Sequence, residues 1–157
     1  MAAIVVEDLR KSYADVEAVR GISFQVDVGR VFAFLGPNGA GKTTTVEICE
    51  GFRPRDGGRV SVLGFDPATR DREMRARIGI VLQSTGVDVY LTVAETIEFY
   101  RRLYEHPRPV DEIVELVGLP EKRDTRVGKL SGGQQRRLDV AVALAGDPEL
   151  LFLDEPT

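Results

Sequence analysis

The sequence predicts an α/β fold with a parallel-sheet core, an N-terminal antiparallel β part and an inserted helical part. Residues 31–35 and 150–153 are continuously apolar, which is typical of short strands buried on both faces of a parallel sheet. Residues 19–28 alternate loosely, which favours a half-buried antiparallel strand. Between residues 92 and 105, apolar side chains recur near the helical period. Helices and both kinds of strand are therefore expected in one chain.

Length and composition restrict the class of protein. The chain has 157 residues, 43% hydrophobic and 29% charged, as in a globular domain rather than a disordered or fibrous chain. The 21 Lys and Arg against 25 Asp and Glu give a net charge of −4, which argues against binding to nucleic acid or anionic lipid. One cysteine cannot form an internal disulfide, and no apolar run could span a bilayer. We expect a soluble cytoplasmic protein with no nucleic-acid partner and no direct membrane insertion.

Local signals define the remaining elements. Thr92 with Glu95, and Ser131 with Gln134, are spaced as in capping boxes at helix starts. Further strands are predicted over residues 3–6, 59–63 and 78–82, and helices over residues 42–50, 68–77, 110–117 and from residue 132 onward.

Residues 36–43 carry the strongest functional signal, a match to G-x-x-x-x-G-K-[ST] between a predicted strand and a predicted helix. Glycines let backbone N–H groups converge on phosphate oxygens, and the helix N-terminus adds its dipole. Lys42 would bring a point charge to the β- and γ-phosphates, and Thr43 a hydroxyl ligand for Mg²⁺. A glycine-rich turn without ligand is the alternative. The predicted nucleotide-binding residues here are Gly36, Pro37, Asn38, Gly39, Ala40, Gly41, Lys42, Thr43 and Thr44.

Two acidic residues follow the last predicted strand. Asp154 and Glu155 come directly after Leu150–Leu153, and ligands of open α/β sheets bind at the carboxyl ends of strands. Asp154 would hold Mg²⁺ through water, and Glu155 would act as general base or orient the attacking water. Acidic residues after a strand are also common on surfaces. This interpretation therefore depends on the phosphate-binding motif of residues 36–43, which we call the phosphate loop.

Residues 130–134 (Leu-Ser-Gly-Gly-Gln) form a second candidate phosphate-binding surface. Adjacent glycines at a helix start expose N–H groups to an anion, and Ser131 adds a hydroxyl. A capped helix without ligand is the alternative, which the capping box alone would justify. The candidate residues are Ser131, Gly132, Gly133 and Gln134.

The chain resembles the ATP-binding cassette (ABC) ATPases over essentially its whole length. The resemblance rests on four motifs in that family's order: the phosphate loop, Gln83, residues 130–134 and residues 150–155. It implies a P-loop NTPase fold with a RecA-like parallel-sheet core, and ATP and Mg²⁺ as cofactors. It also implies a head-to-tail dimer, a homodimer or a pair of cassettes, in which Ser131, Gly132 and Gly133 bind the γ-phosphate of ATP held by the opposite subunit.

The resemblance also implies roles for single residues and parts of the chain. Tyr13 matches the aromatic residue that stacks on adenine. Gln83 matches the glutamine that senses Mg²⁺ and the γ-phosphate, so it joins Lys42 and Glu155 as a catalytic candidate and is a metal-ligand candidate with Thr43 and Asp154. The helical part matches the subdomain that contacts a transmembrane permease, which implies a peripheral location on the inner face of the cell membrane. The chain is then one truncated ATPase domain comprising residues 1–83 (nucleotide-binding body), 84–129 (helical subdomain) and 130–157 (signature helix and last strand).

Residues 50–54, 64–67 and 136–141 look like ATPase subunits of drug and antibiotic exporters. We therefore expect Mg-ATP hydrolysis that powers an exporter. A truncated module that binds ATP without productive hydrolysis is the second hypothesis. A translation factor or chromosome-maintenance ATPase is the third, although Gln134 and Gln135 look transporter-like and no linker or coiled coil is visible.

The family pattern continues past residue 155 with an interface loop and a strand that ends in a switch histidine, and neither is in this sequence. We expect an N-terminal portion of a longer protein, aggregation-prone and weakly active alone, because the absent strand would leave both neighbouring strands unpaired. His106, the only histidine, is expected in an exposed loop. Cys49 is expected to be a small core residue rather than a redox centre.

Overall fold

The structure, a computed structural model, describes residues 1–81 and 86–153. The chain forms two compact units, Met1–Arg75 and Ala76–Thr157, which we call unit 1 and unit 2. Along the described chain, antiparallel strands and a helix come first, and two parallel strands, one before and one after a group of helices, follow.

Unit 1 is built on a three-stranded antiparallel sheet in the order β2-β1-β3. The long hairpin of β1 (Ala2–Tyr13) and β2 (Val16–Asp27) supplies two strands, and β3 (Gly57–Val62) pairs with the other side of β1. The hairpin register shifts near Asp8, which has a φ of 48° and donates its N–H to Ser23 Oγ at 2.9 Å. Such a bulge lets β1 extend well beyond the predicted residues 3–6.

The predicted buried strand over residues 31–35 is wrong for this structure. These residues form no strand with any described part of the chain, and Val31 and Leu35 are 101% and 92% exposed. A strand is defined by its ladder of hydrogen bonds, and no described strand lies alongside to complete one. Phe32 and Phe34 pack instead on Phe24 of β2, with ring centroids 5.2 and 5.0 Å from it.

The rest of unit 1 covers the sheet. α1 (Lys42–Cys49) contributes buried Ile48, and a short 3₁₀ turn, Pro67–Thr69, is capped by the Asp66 carboxylate. Arg55 donates two hydrogen bonds of 2.7 Å to that same carboxylate. α2 (Arg72–Arg77) follows and spans the boundary between the units, so the predicted helical connection over residues 68–77 is present as two short pieces.

The described residues of unit 2 form a parallel strand pair and three helices. β4 (Ile78–Val81) and β5 (Leu150–Leu153) pair in parallel, with Ile78 opposite Leu150 and Val81 opposite Leu153. Arg77 and Glu149 extend this pairing through two side-chain hydrogen bonds of 2.7 and 2.9 Å.

The helices of unit 2 are α3 (Val93–Arg101), α4 (Val110–Leu116) and α5 (Gly132–Ala143), with 3₁₀ turns at Pro120–Lys122 and Val127–Lys129. Both predicted capping boxes are confirmed, at Thr92 and at Ser131. α3 ends before the predicted residue 105, because Leu103 and Tyr104 donate to carbonyls three residues back and close the last turn. One hydrophobic cluster joins the three helices: Val93, Ile97, Ile113, Val114, Leu119, Val127, Leu130, Leu138 and Ala141.

Within the described residues, no helix combines the length and the apolar character that crossing a membrane requires.

Candidate functional site

The phosphate loop ends in a glycine that the fold requires. Gly41 is the N-cap of α1 and has a φ of 79°, in the left-handed region. A Cβ on Gly41 would lie 2.3 Å from the carbonyl oxygen of Ala18 in β2. Gly41 therefore lets the loop turn sharply while its backbone rests against the hairpin.

The start of α1 is open to an anion. Gly41 offers no side-chain cap, and the first turn of the helix holds no acidic residue. Backbone N–H groups at such a terminus lack intrahelical partners and carry the positive end of the helix dipole. Thr43, in this turn, is exposed. The arrangement has the geometry and the sign of charge that bind phosphate groups.

Lys42 bonds to the loop that it follows. Its Nζ donates to the carbonyl oxygens of Gly36 at 2.6 Å and Pro37 at 2.8 Å. These two bonds hold the phosphate loop in a folded form. The ammonium group therefore lies against the loop backbone, beside the open helix start.

Tyr13 ends β1 at the hairpin tip and is 39% exposed. It pairs with Val16, and Ala18, against which Gly41 packs, lies two residues further along β2. Unit 1 thus brings the predicted aromatic platform and the phosphate loop to the same end of one hairpin.

The residues of the Leu-Ser-Gly-Gly-Gln motif lie at the start of α5, in unit 2. Ser131 Oγ accepts the Gln134 N–H at 3.3 Å, and Gln134 Oε1 accepts the Ser131 N–H at 2.9 Å. Gln135 Nε2 donates to the carbonyl oxygens of Val127 and Leu130 at 3.5 and 3.4 Å. These side-chain hydrogen bonds fix the start of α5. The residues Ser131, Gly132 and Gly133 are nevertheless exposed.

Gly132 and Gly133 have no structural need to be glycine. Neither has a positive φ, and a Cβ on either would meet no atom within 4 Å. Most other described glycines occupy left-handed positions or tight contacts, as Gly41 does, although Gly86 is also unconstrained. Two such unconstrained glycines at an exposed helix start leave a surface that another molecule can approach closely.

Three predicted site residues, Gln83, Asp154 and Glu155, lie outside the described residues. The described part of β5 ends at Leu153, immediately before the two acids. No cluster of three or more potential metal ligands occurs among residues 1–81 and 86–153.

Two further predictions concern residues outside the predicted motifs, and the structure confirms the burial of Cys49 and the exposure of His106. Cys49 is 2% exposed, and burial, followed by the charge of Glu50, raises the pKa of its thiol to about 12. His106 is exposed in the loop between α3 and α4.

Sequence reasoning missed the side chains that surround Tyr13. Lys11 Nζ lies 5.4 Å and the Arg53 guanidinium carbon 5.6 Å from the centroid of its ring. The spacing of Lys11 and Tyr13 could have indicated this contact, since residues i and i+2 share one face of a strand. Arg53 is forty positions away and carries no comparable signal.

Comparison with known proteins identifies the family. A family model described as ABC transporter matches residues 19–157, so the chain belongs to the ABC transporter family. The chain is 40% identical to a Nod factor export ATP-binding protein I of Burkholderia orbicola and 42% identical to the daunorubicin resistance ATP-binding protein DrrA2 of Streptomyces coeruleorubidus. These matches cover 100% and 99% of the chain but 53% and 50% of the relatives. The chain thus spans about half the length of the curated relatives that it matches.

Solved structures confirm the fold. An ATP-binding cassette of an ABC transporter in its ADP conformation matches with a TM-score of 0.82 at 26% identity, over 99% of this chain and 69% of that one. A dimeric cassette in a post-hydrolysis state, bound to ADP and Pi, matches with a TM-score of 0.80 at 24% identity, over 98% and 74% of the two chains. The predicted fold class, a P-loop NTPase of the ABC type with an antiparallel β part and inserted helices, is confirmed.

Proposed function

We propose that this chain binds Mg-ATP at residues 36–44 and hydrolyses it to power an exporter-type ABC transporter. The observation that carries the proposal is the open start of α1, where Gly41 turns the loop and Lys42 lies beside unpaired N–H groups. Lys42 would leave its two carbonyl partners for the phosphate oxygens. Thr43 would contribute a hydroxyl to Mg²⁺, and Tyr13 would stack on adenine.

The proposed hydrolytic step uses Glu155 as general base or orienter of water, with Asp154 and Gln83 as further Mg²⁺ ligands. A metal ion would neutralise charge on the phosphates and leave the protein to position the attacking water. The names of the relatives, which are ATP-binding proteins of export and drug resistance, support this activity and direction of transport.

We further propose that two cassettes pair around ATP. The observation that supports this pairing concerns Gly132 and Gly133. Neither has a positive φ, and a Cβ on either would meet no atom within 4 Å. Together with Ser131 and Gln134 they would contact the γ-phosphate of ATP bound to the other subunit. The dimeric state of a cassette bound to ADP and Pi agrees with this arrangement.

The proposed membrane partner is a permease that contacts the helical residues 84–129 from the cytoplasmic side. Tyr90, Phe99 and Leu103 are exposed apolar side chains in the described part of this stretch, and such side chains suit a protein interface.

Nucleotide binding is tested with the full chain and titrated Mg-ATP. We expect Lys42→Ala to weaken binding more than tenfold, because a charge-assisted hydrogen bond contributes about 1.5–3 kcal/mol. Lys122→Ala removes the charge of a lysine in unit 2 that belongs to no predicted nucleotide-binding motif; it is the matched control and should bind as the wild type does. Equal affinity of the wild type and Lys42→Ala would refute the proposal.

The same full chain also distinguishes a hydrolase from the second candidate function, a module that binds ATP without productive hydrolysis. Glu155→Gln should keep ATP affinity and lower turnover about a hundredfold or more, the usual loss of a general base. If the wild type binds ATP without turnover, and Glu155→Gln changes neither turnover nor affinity, the chain is a module that only binds ATP.

A further inference from the structure

The ring of Tyr13 is contacted by two cations that the proposed function does not use. Lys11 Nζ and the Arg53 guanidinium lie 5.4 and 5.6 Å from its centroid, inside the roughly 6 Å range of cation–π attraction. Without such contacts, a tyrosine that is 39% exposed at a hairpin tip would be free to change rotamer.

Each cation is itself held by a carboxylate. Lys11 Nζ lies 2.8 Å from Asp56 Oδ1, while Asp56 Oδ2 accepts the Ser12 N–H at 2.7 Å. Arg53 donates from Nε and Nη2 to the two oxygens of Glu47, the second bond measuring 3.4 Å. Neither cation is therefore a free surface charge.

Arg53 is also fixed through its backbone. After α1 ends, the chain curls back so that the N–H groups of Phe52 and Arg53 both donate to the Glu47 carbonyl, at 2.9 and 3.2 Å. Glu47 belongs to α1, the helix that begins at Lys42. The guanidinium thus links the Tyr13 ring to the helix that starts at the phosphate loop.

We propose that Arg53, oriented by Glu47, is a positioning residue. It holds the Tyr13 ring in the orientation that stacks on the nucleobase, and so fixes the distance between that ring and the phosphate loop. This inference rests on the proposed Mg-ATP binding. Arg53 acts through Tyr13, so its removal affects only ligands that have a base.

The test compares two ligands of the full chain in the presence of Mg²⁺: ATP, and inorganic tripolyphosphate, which lacks the base. Arg53→Ala should weaken ATP binding about two- to fivefold, the size of an exposed cation–π contact. Tyr13→Ala should weaken it about tenfold, as expected for one base–aromatic stack. Neither change should alter the affinity for tripolyphosphate.

Two comparisons make the test specific. The double variant should bind ATP no more weakly than Tyr13→Ala, because Arg53 has no effect once the ring is gone. Arg59→Ala removes an exposed arginine from β3 of the same unit and should leave both affinities unchanged. Should Arg53→Ala fail to fold, Arg53→Lys keeps the charge without the planar fork and is measured with the same two ligands.

The possible outcomes distinguish failure of the positioning role of Arg53 from failure of the proposed Mg-ATP binding. Equal weakening of ATP and tripolyphosphate by Arg53→Ala, or an additive double variant, overturns the positioning role and leaves Mg-ATP binding intact. An unchanged ATP affinity in Tyr13→Ala overturns the base platform as well. If the wild type binds neither ligand, the proposed function itself fails.

Discussion

Cys49 illustrates how the surroundings of a side chain set its chemistry. It is 2% exposed at the end of α1, and its pKa is raised to about 12, first by burial and then by the charge of Glu50. The thiolate is the reactive form of cysteine, so at neutral pH this side chain is a small apolar group. Its identity as a core residue was predictable from the sequence, because free cysteine is among the most buried residue types.

We predict that the native thiol resists modification at pH 8. An aromatic disulfide reagent should react with almost none of it in buffer and with one thiol per chain in denaturant, which serves as the control, since Cys49 is the single cysteine. Absorbance of the released thiolate measures the reaction. Complete modification within seconds in buffer would mean that Cys49 is accessible.

At the same scale, the surroundings of Tyr13 were only partly predictable. Lys11 follows from strand alternation, whereas Arg53 reaches the ring only because the turn after α1 folds back on Glu47. A contact between residues that are distant in the sequence is not indicated by any periodic pattern of residue types.

Among the elements, helix starts were predictable and one strand was not. The capping boxes at Thr92 and Ser131 are local signals, because the residues that satisfy the first N–H groups lie within three positions. A strand needs a partner from elsewhere in the chain. Residues 31–35 have the composition of a buried strand but pair with no described strand, so composition alone misled the prediction.

The contact between β4 and α5 yields a prediction for an element. A Cβ on Gly79 would lie 2.5 Å from the Ala143 carbonyl oxygen and 2.8 Å from Leu151 Cδ1. Gly79→Ala should therefore lower the free energy of unfolding by about 1–3 kcal/mol, as overpacking does. Gly86→Ala, at an exposed glycine with open surroundings, is the control for urea denaturation. A Gly79→Ala variant as stable as the wild type would show that α5 can shift away.

For the whole molecule, the fold class was predictable because buried strands, amphipathic helices and the phosphate loop occur in a fixed order. Its response to acid was predictable only in part, since it depends mainly on ion pairs that form only in the folded chain. Among residues 1–81 and 86–153, the pKa values of four carboxyls are lowered: Lys11 acts on Asp56, Arg55 on Asp66, the Thr92 backbone on Glu95 and Arg77 on Glu149. Each stabilises the fold only while ionised.

We predict that stability falls with acid, and Asp66 allows a direct test. Its pKa is lower in the folded chain than in the unfolded chain, so its contribution is complete above about pH 4 and is lost as the pH falls through the folded value. At pH 7, Asp66→Asn should cost up to about 1 kcal/mol, the upper range for a partly exposed pair. The difference should shrink below pH 4 in urea titrations, while Asp15→Asn, in the exposed hairpin turn, should match the wild type throughout. A difference that grows as the pH falls would contradict the assignment.

The bonds from Lys42 to Gly36 and Pro37 determine how an anion enters the phosphate loop. Because the Lys42 ammonium group already donates to two carbonyl oxygens, an incoming phosphate must replace these oxygens as the acceptors of its hydrogen bonds. The heat of binding is then the difference between two sets of bonds. The rate of entry includes the breaking of the first set, so the speed with which this loop accepts a ligand depends on how firmly the chain holds its own lysine.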